Sequence, residues 1–319
     1  MDAMTYRQLG DSGLTVSTVG LGCNNFRSRT SDDDARAVID AAIGCGITLF
    51  DTADIYGGGG GSEELIGETL GARRDQVVLA TKFGMAMPDA GAEARGSRRY
   101  VRAAVRASLK RLRTDWIDLY QYHEPDGVTP VEETLAALDE LVREGLVRYV
   151  GSSNFAGWQV ADADWVASKY GRERFVSAQN EYSLLDRAAE AEVVPACEHY
   201  GVGLLPYFPL ANGVLTGKYR RGETLPSGSR LAGNASRADT LLTEETFDRV
   251  EALDKLAAER GVTMLHLAIG GLAAQPAVAS VIAGATRAEQ VYANAAAGVW
   301  EPTDEDLAAI DAIVPPGRS

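Results

Sequence analysis

Short apolar runs alternate with amphipathic helical patterns along nearly the whole chain. No other feature restricts the fold as much. The strand-like runs are TVGLGC (18–23), ITLFD (47–51), QVVLATK (76–82), WIDLYQYH (116–123), VRYVGSS (147–153), FVSAQNE (175–181), GVGLLPY (201–207) and VASVIAG (278–284). Helix patterns such as SDDDARAVIDAAIGCG and SRRYVRAAVRASLKRL lie between them, several opening on a Ser cap and many ending at Gly. Strict alternation calls for parallel strands joined by right-handed crossovers. Eight units in 319 residues predict an α/β fold, a (β/α)8 TIM barrel forming one domain over 1–319. A doubly wound sheet would usually place GxGxxG after its first strand. The turn here reads GLGCNNFRS and does not match.

Two segments stand outside the alternation. TYRQLGDSGLTVS predicts an N-terminal β-hairpin turning at Asp11-Ser12-Gly13. PLANGVLTGKYRRGETLPSGSRLAGNASRADT (209–240) predicts a long loop after strand seven, of the kind that serves as a lid or binding loop.

Lys plus Arg is 31 and Asp plus Glu is 45, a net charge of −14. That average field repels nucleic-acid backbones and anionic membranes, so neither is an expected partner. Cys23, Cys45 and Cys197 are far apart and show no metal-ligand spacing. They argue against a disulfide framework and against a zinc site. The stretch MDAMTYRQLG lacks the basic and apolar regions of a signal peptide, and a cytoplasmic location is expected. Oligomeric state is not legible.

Barrel enzymes build their sites at the C-terminal ends of strands. There the second strand delivers Asp51 and, shortly after, Tyr56, followed by five glycines, Gly57 to Gly61. The third strand ends at Lys82 and the fourth at His123. Taken singly, each has an ordinary reading as a cap, a surface phenol, a solvated amine or a polar loop residue. Together they suit proton transfer at a carbonyl or alcohol carbon. A free phenol is a weak acid at neutral pH, and a neighbouring ammonium is expected to lower its pKa. Lys82 supplies that charge, Asp51 holds Lys82, and His123 orients the substrate oxygen. None of the four carries a hydride, which implies a nicotinamide cofactor.

The stretches FDTADIYGGGGGSEELIG, LATKFG, DLYQYHEPD, VGSSNF, AQNEYSLLDR, PLANGVLTGKY and GATRAEQVYANAAA occur in one order across nearly the whole barrel. With them the sequence resembles the aldo-keto reductase superfamily. The resemblance implies NADP(H)-dependent reduction of an aldehyde, ketone or sugar carbonyl. It assigns Asp51, Tyr56, Lys82 and His123 as the catalytic tetrad, with Tyr56 as general acid/base. It places Ser153, Asn154 and Gln179 at the nicotinamide carboxamide and Tyr207 against its ring. Leu210, Gly213, Leu215, Gly217 and Lys218 would lie along the pyrophosphate. Gly284, Thr286 and Arg287 would meet the adenosine phosphate, and Gln290 and Asn294 the adenine side. Some branches of the superfamily carry Lys where this chain has Gly284. The superfamily also resembles the cytoplasmic β subunits of potassium channels, so an NADP(H)-binding regulatory subunit is the alternative. A phosphate-binding isomerase would need a proton-abstracting Glu, for which Glu124 is the rough candidate. Asn24, Phe26, Phe83, Met85 and Tyr122 are expected to line the substrate pocket by position.

Overall fold

The computed structural model describes residues 4–87, 91 and 93–317; the first residues of the stretch behind the localisation expectation lie outside it. A hairpin of β1 (Tyr6–Gln8) and β2 (Thr15–Ser17) comes first. An eight-stranded sheet follows: β3 (Val19–Gly22), β4 (Leu49–Asp51), β5 (Val78–Phe83), β6 (Ile117–Tyr122), β7 (Val147–Ser153), β8 (Phe175–Gln179), β9 (Gly203–Leu204) and β10 (Val281–Gly284). All neighbours in it are parallel, in the order β10-β3-β4-β5-β6-β7-β8-β9. Bridges between Leu204 and Val278 and between Tyr207 and Ile282 join the two ends. Ile282 N–H donates to Pro206 O across that seam at 2.9 Å. The sheet therefore curls into the expected (β/α)8 barrel, and all eight sequence-predicted strands take part.

Local chemistry sets the helix boundaries. Ser31 accepts from Asp34 N–H to start Asp32–Gly44, and Ser97 accepts from Tyr100 N–H to start Arg98–Leu112. Gly171 and Gly201 end their helices in the left-handed conformation. The basic face of Arg98–Leu112 meets the acidic face of Val131–Arg143 through Arg98–Glu140 and Arg102–Glu144 pairs. A solvated helix face explains that run of charge.

The hairpin plugs one end of the barrel. Leu9 and Val16 are fully buried with Leu49, Ala80, Leu119 and Leu205. The sequence pattern over 263–276 reads as one helix, yet the backbone widens into a π turn at His266–Gly270. Its Gly270 backbone lies against Trp300, where a Cβ would come within 2.8 Å of the indole. Two further helices, Glu244–Glu259 and Asp304–Ile313, fall outside the eightfold alternation. Their Val250, Leu253, Leu256 and Ile310 form a second apolar cluster with Leu184, Leu215, Tyr219 and Leu231. That cluster is what holds down the long loop, which also contains the short helix Ala235–Leu241.

Candidate active site

Side chains alternate between the two faces of a strand. Leu49, Ala80 and Leu119 fill the barrel interior as an apolar layer. Two residues further along the same strands stand Asp51, Lys82 and Gln121, and Gln179 closes the ring from β8. A polar layer thus sits directly on an apolar floor, and all four of these residues are buried.

Lys82 is fully buried. Its ammonium donates to Asp51 Oδ2 at 2.7 Å and to Thr52 O at 2.8 Å, and it also hydrogen-bonds the Tyr56 hydroxyl. All three N–H groups are therefore used, as a buried ammonium requires. Asp51 Oδ1 accepts from Gln179 at 2.8 Å and from Gln121 at 3.2 Å. Burial alone would pull Lys82 down, but Asp51 and Tyr56 outweigh it and raise its pKa. Burial pushes the Tyr56 phenol up; Lys82 opposes the push and Asp51 adds to it. The sequence expectation of a lowered phenol pKa is corrected here: Lys82 limits a rise that burial and the Asp51 charge create. His123 is pulled down to about 3 by burial and by the Lys82 charge, so its ring is neutral at physiological pH. The ring meets Tyr56 edge-on at 5.8 Å, and its buried Nδ1 has no partner among the described residues.

The loop carrying Tyr56 owes its shape to glycine. Gly57, Gly58, Gly59 and Gly60 all have positive φ, from 70° to 109°. Gly59 N–H returns to Ile55 O and Gly60 N–H to Tyr56 O, both at 3.1 Å. The result is a left-handed turn directly after Tyr56, which launches the helix Gly61–Leu70. A Cβ at Gly57 would stand 2.6 Å from Ser62 N and 3.0 Å from Phe26 O. Gly57→Ala is expected to cost about 1–2 kcal/mol from backbone conformation alone. It should also lower kcat about 10²-fold by shifting Tyr56 about 1 Å. Melting temperature and kcat are the measurements; wild-type values for both would show that the turn does not depend on glycine.

A cavity of about 820 Å³ opens above this layer. Asp51, Tyr56, His123, Ser153, Asn154, Gln179, Tyr207, Leu210, Gly213, Lys218, Gly284, Thr286, Arg287, Gln290 and Asn294 all reach it, and Lys82 lies one contact behind, through Asp51. Asn154 donates to His123 O at 2.9 Å and accepts from the Tyr207 hydroxyl at 2.8 Å. The Gln290 side chain accepts from Thr286 N–H at 2.7 Å, so here it caps its own helix, Ala288–Gly298.

Several sequence expectations are corrected. Leu215 is fully buried in the second apolar cluster, anchoring the loop, and neither it nor Gly217 lines the cavity. Phe26, Phe83 and Tyr122 are buried away from it, whereas Asn24 and Met85 do line it. Strand parity explains two of the three. Lys82 and Gln121 point inward, so the next residues, Phe83 and Tyr122, point outward and stack on each other at 5.1 Å.

Sequence reasoning missed Gln121, Arg29 and Arg230. Gln121 was signalled by its position two residues beyond Leu119. Arg230 donates to Asn25 Oδ1 at 2.8 Å and lies over the Phe208 ring at 5.2 Å, tying the long loop to the loop after β3. Burial, then the Arg29 charge, lowers its pKa. Arg29, Lys218, Arg230 and Arg287 all line the cavity, and among the described residues none of them forms an ion pair. In a chain of net charge −14, four cations facing one cavity without carboxylate partners suit a phosphate-bearing ligand.

The model of the aldo/keto reductase family matches residues 18–315. An uncharacterized oxidoreductase of Bacillus subtilis is 40% identical over 298 residues, covering 90% of this chain and 89% of that protein. A probable voltage-gated potassium channel subunit beta of Oryza sativa subsp. japonica is 37% identical over 301 residues, covering 91% and 90%. L-glyceraldehyde 3-phosphate reductase of Escherichia coli is 34% identical over 302 residues, covering 91% and 86%. With the family model spanning Asp51, Tyr56, Lys82 and His123 and these relatives covering about nine-tenths of the sequence, the chain belongs to the aldo/keto reductase family.

Proposed function

We propose that this protein is an NADP(H)-dependent oxidoreductase that reduces an aldehyde, ketone or sugar carbonyl to the alcohol. The observation that carries the reading is the buried Asp51–Lys82 pair held against the Tyr56 hydroxyl at the floor of the cavity. When bound, a reduced nicotinamide supplies the hydride to the carbonyl carbon. The carbonyl oxygen gains the electron pair and takes the proton from the Tyr56 hydroxyl. The phenolate left behind faces the Lys82 ammonium, whose charge Asp51 holds in place. His123, neutral and buried, steers the same oxygen by a hydrogen bond.

Ser153, Asn154 and Tyr207 would seat the nicotinamide end. Lys218, Arg230 and the N-terminus of Ala288–Gly298 would take the phosphates. The name of the E. coli relative, a reductase of a phosphorylated aldehyde, agrees with carbonyl reduction. The name of the rice relative keeps a regulatory cofactor-binding subunit as the second reading. NADPH oxidation followed at 340 nm across aldehydes, ketoses and keto-sugars separates the two. Turnover supports the first; tight NADPH binding without turnover on any of them supports the second.

Preference for NADP(H) over NAD(H) is ascribed to Arg287. It is exposed at the N-cap of Ala288–Gly298 and lines the cavity. There its guanidinium and the free N–H groups would receive one phosphate. A charge-assisted hydrogen bond is worth about 1.5–3 kcal/mol, so Arg287→Ala should weaken NADPH roughly 10–150-fold. NADH should be almost unaffected. Fluorescence titration of both cofactors checks this; equal losses for the two would remove Arg287 from 2′-phosphate recognition.

A further inference from the structure

Asp54 lies between Asp51 and Tyr56 and is 1% exposed. Its Oδ1 has no hydrogen-bond partner among the described residues, and neither does the fully buried hydroxyl of Tyr120. The groups that face Asp54 come from four elements. Glu63 projects from Gly61–Leu70, Arg111 and Tyr100 from Arg98–Leu112, Lys82 from β5, and Tyr120 from β6. Glu63 is fully buried and accepts from Thr81 at 2.5 Å and from Arg111 Nε at 2.6 Å. Arg111 is therefore matched by Glu63, and Lys82 is matched by Asp51. The four charges balance without Asp54. An ionised Asp54 would be an uncompensated negative charge in a buried place.

The backbone of Asp54 is part of the active-site scaffold. Its N–H donates to Lys82 O at 3.1 Å, and Tyr56 N–H donates to Ala53 O at 3.1 Å. The segment that joins the ammonium-bearing strand to the phenol-bearing turn thus runs through this residue. We propose that Asp54 is a positioning residue, holding the Tyr56 turn in its working geometry as the neutral acid and releasing it when ionised.

Burial, and then the Glu63 charge, push its carboxyl up from 3.8 to about 7, against the opposing pull of Arg111, of the Ile55 N–H that the carboxyl accepts, and of Lys82. A carboxyl raised in the folded state contributes stability that is full below its unfolded value and is lost as pH rises through the folded one. The window for the turn is therefore about pH 4 to 7, and the loss of positioning is completed above neutrality.

The kinetic test rests on the proposed reductase reading, and the exchange test does not. With saturating cofactor and substrate, wild-type kcat should fall about tenfold between pH 6 and 8 as Asp54 ionises. Asp54→Asn should keep kcat near its acid-side value across that range. Glu63→Gln, which removes a charge that raises the Asp54 carboxyl and frees Arg111 to face it, should move the fall to lower pH; a fall that stays in place or moves to higher pH overturns the coupling. Backbone amide exchange of residues 52–60 should be faster in wild type than in Asp54→Asn at pH 8, with the difference closing as pH falls toward 4. A kcat fall that persists unchanged in Asp54→Asn, or equal exchange in the two proteins at pH 8, overturns the proposal. Should no carbonyl compound turn over, the reductase reading fails and the exchange comparison alone decides Asp54.

Discussion

Tyr56→Phe is expected to lose about 10²–10⁴-fold in kcat, the usual contribution of a positioned acid–base group. It should keep the fold and the affinity for NADPH. The ring of Tyr56 still packs edge-on against His123 at 5.8 Å and beneath the Lys82 ammonium at 5.1 Å, and neither contact needs the hydroxyl. What disappears is the one proton donor that Lys82 can tune. Parallel measurement of kcat and NADPH affinity checks this. A variant with near wild-type kcat would remove Tyr56 from the chemistry; one that loses cofactor binding equally would make the effect structural.

Lys82→Met should be more damaging still, because it strikes turnover and stability together. Removing one partner of a buried pair leaves the other charged and unpaired, at a cost of about 3–5 kcal/mol. Asp51, 3% exposed and bonded to two glutamines, would be that partner. Turnover should fall below detection. Any residual alcohol oxidation should begin at higher pH, since Lys82 is the group that holds the Tyr56 pKa down against burial and Asp51. Adding Asp51→Asn should recover much of the melting temperature and none of the rate. An oxidation profile unchanged in pH would show that Lys82 does not tune the phenol.

The barrel was legible because its eight strands are short apolar runs bounded by Ser caps and Gly stops, each of which acts locally. The polar layer was half legible. Asp51, Lys82 and His123 stand at strand ends, where the sequence places them without any knowledge of packing. Gln121 and Gln179 hold Asp51 from the far side of the barrel, and only strand parity points to Gln121. Parity also decides against Phe83 and Tyr122, which look like pocket lining by nearness to Lys82 and His123 and instead stack beneath the helices.

The loop residues resisted reading for a different reason. Arg29 and Arg230 meet at one cavity from segments some 200 residues apart, with no periodicity to link them. Leu215 shows the converse. It sits among cavity residues in sequence, yet it faces the apolar cluster built by helices outside the eightfold repeat.

The central claim is that the Tyr56 site delivers a proton to a carbonyl oxygen while hydride reaches the carbon. NADPH dideuterated at C4 of the nicotinamide, incubated with the panel of aldehydes, ketoses and keto-sugars, tests it most directly by mass spectrometry of the products. The account predicts an alcohol bearing one deuterium on the former carbonyl carbon, formed by wild type and lost in Tyr56→Phe. An alcohol product without carbon-bound deuterium, or labelled product formed equally well by Tyr56→Phe, would contradict it.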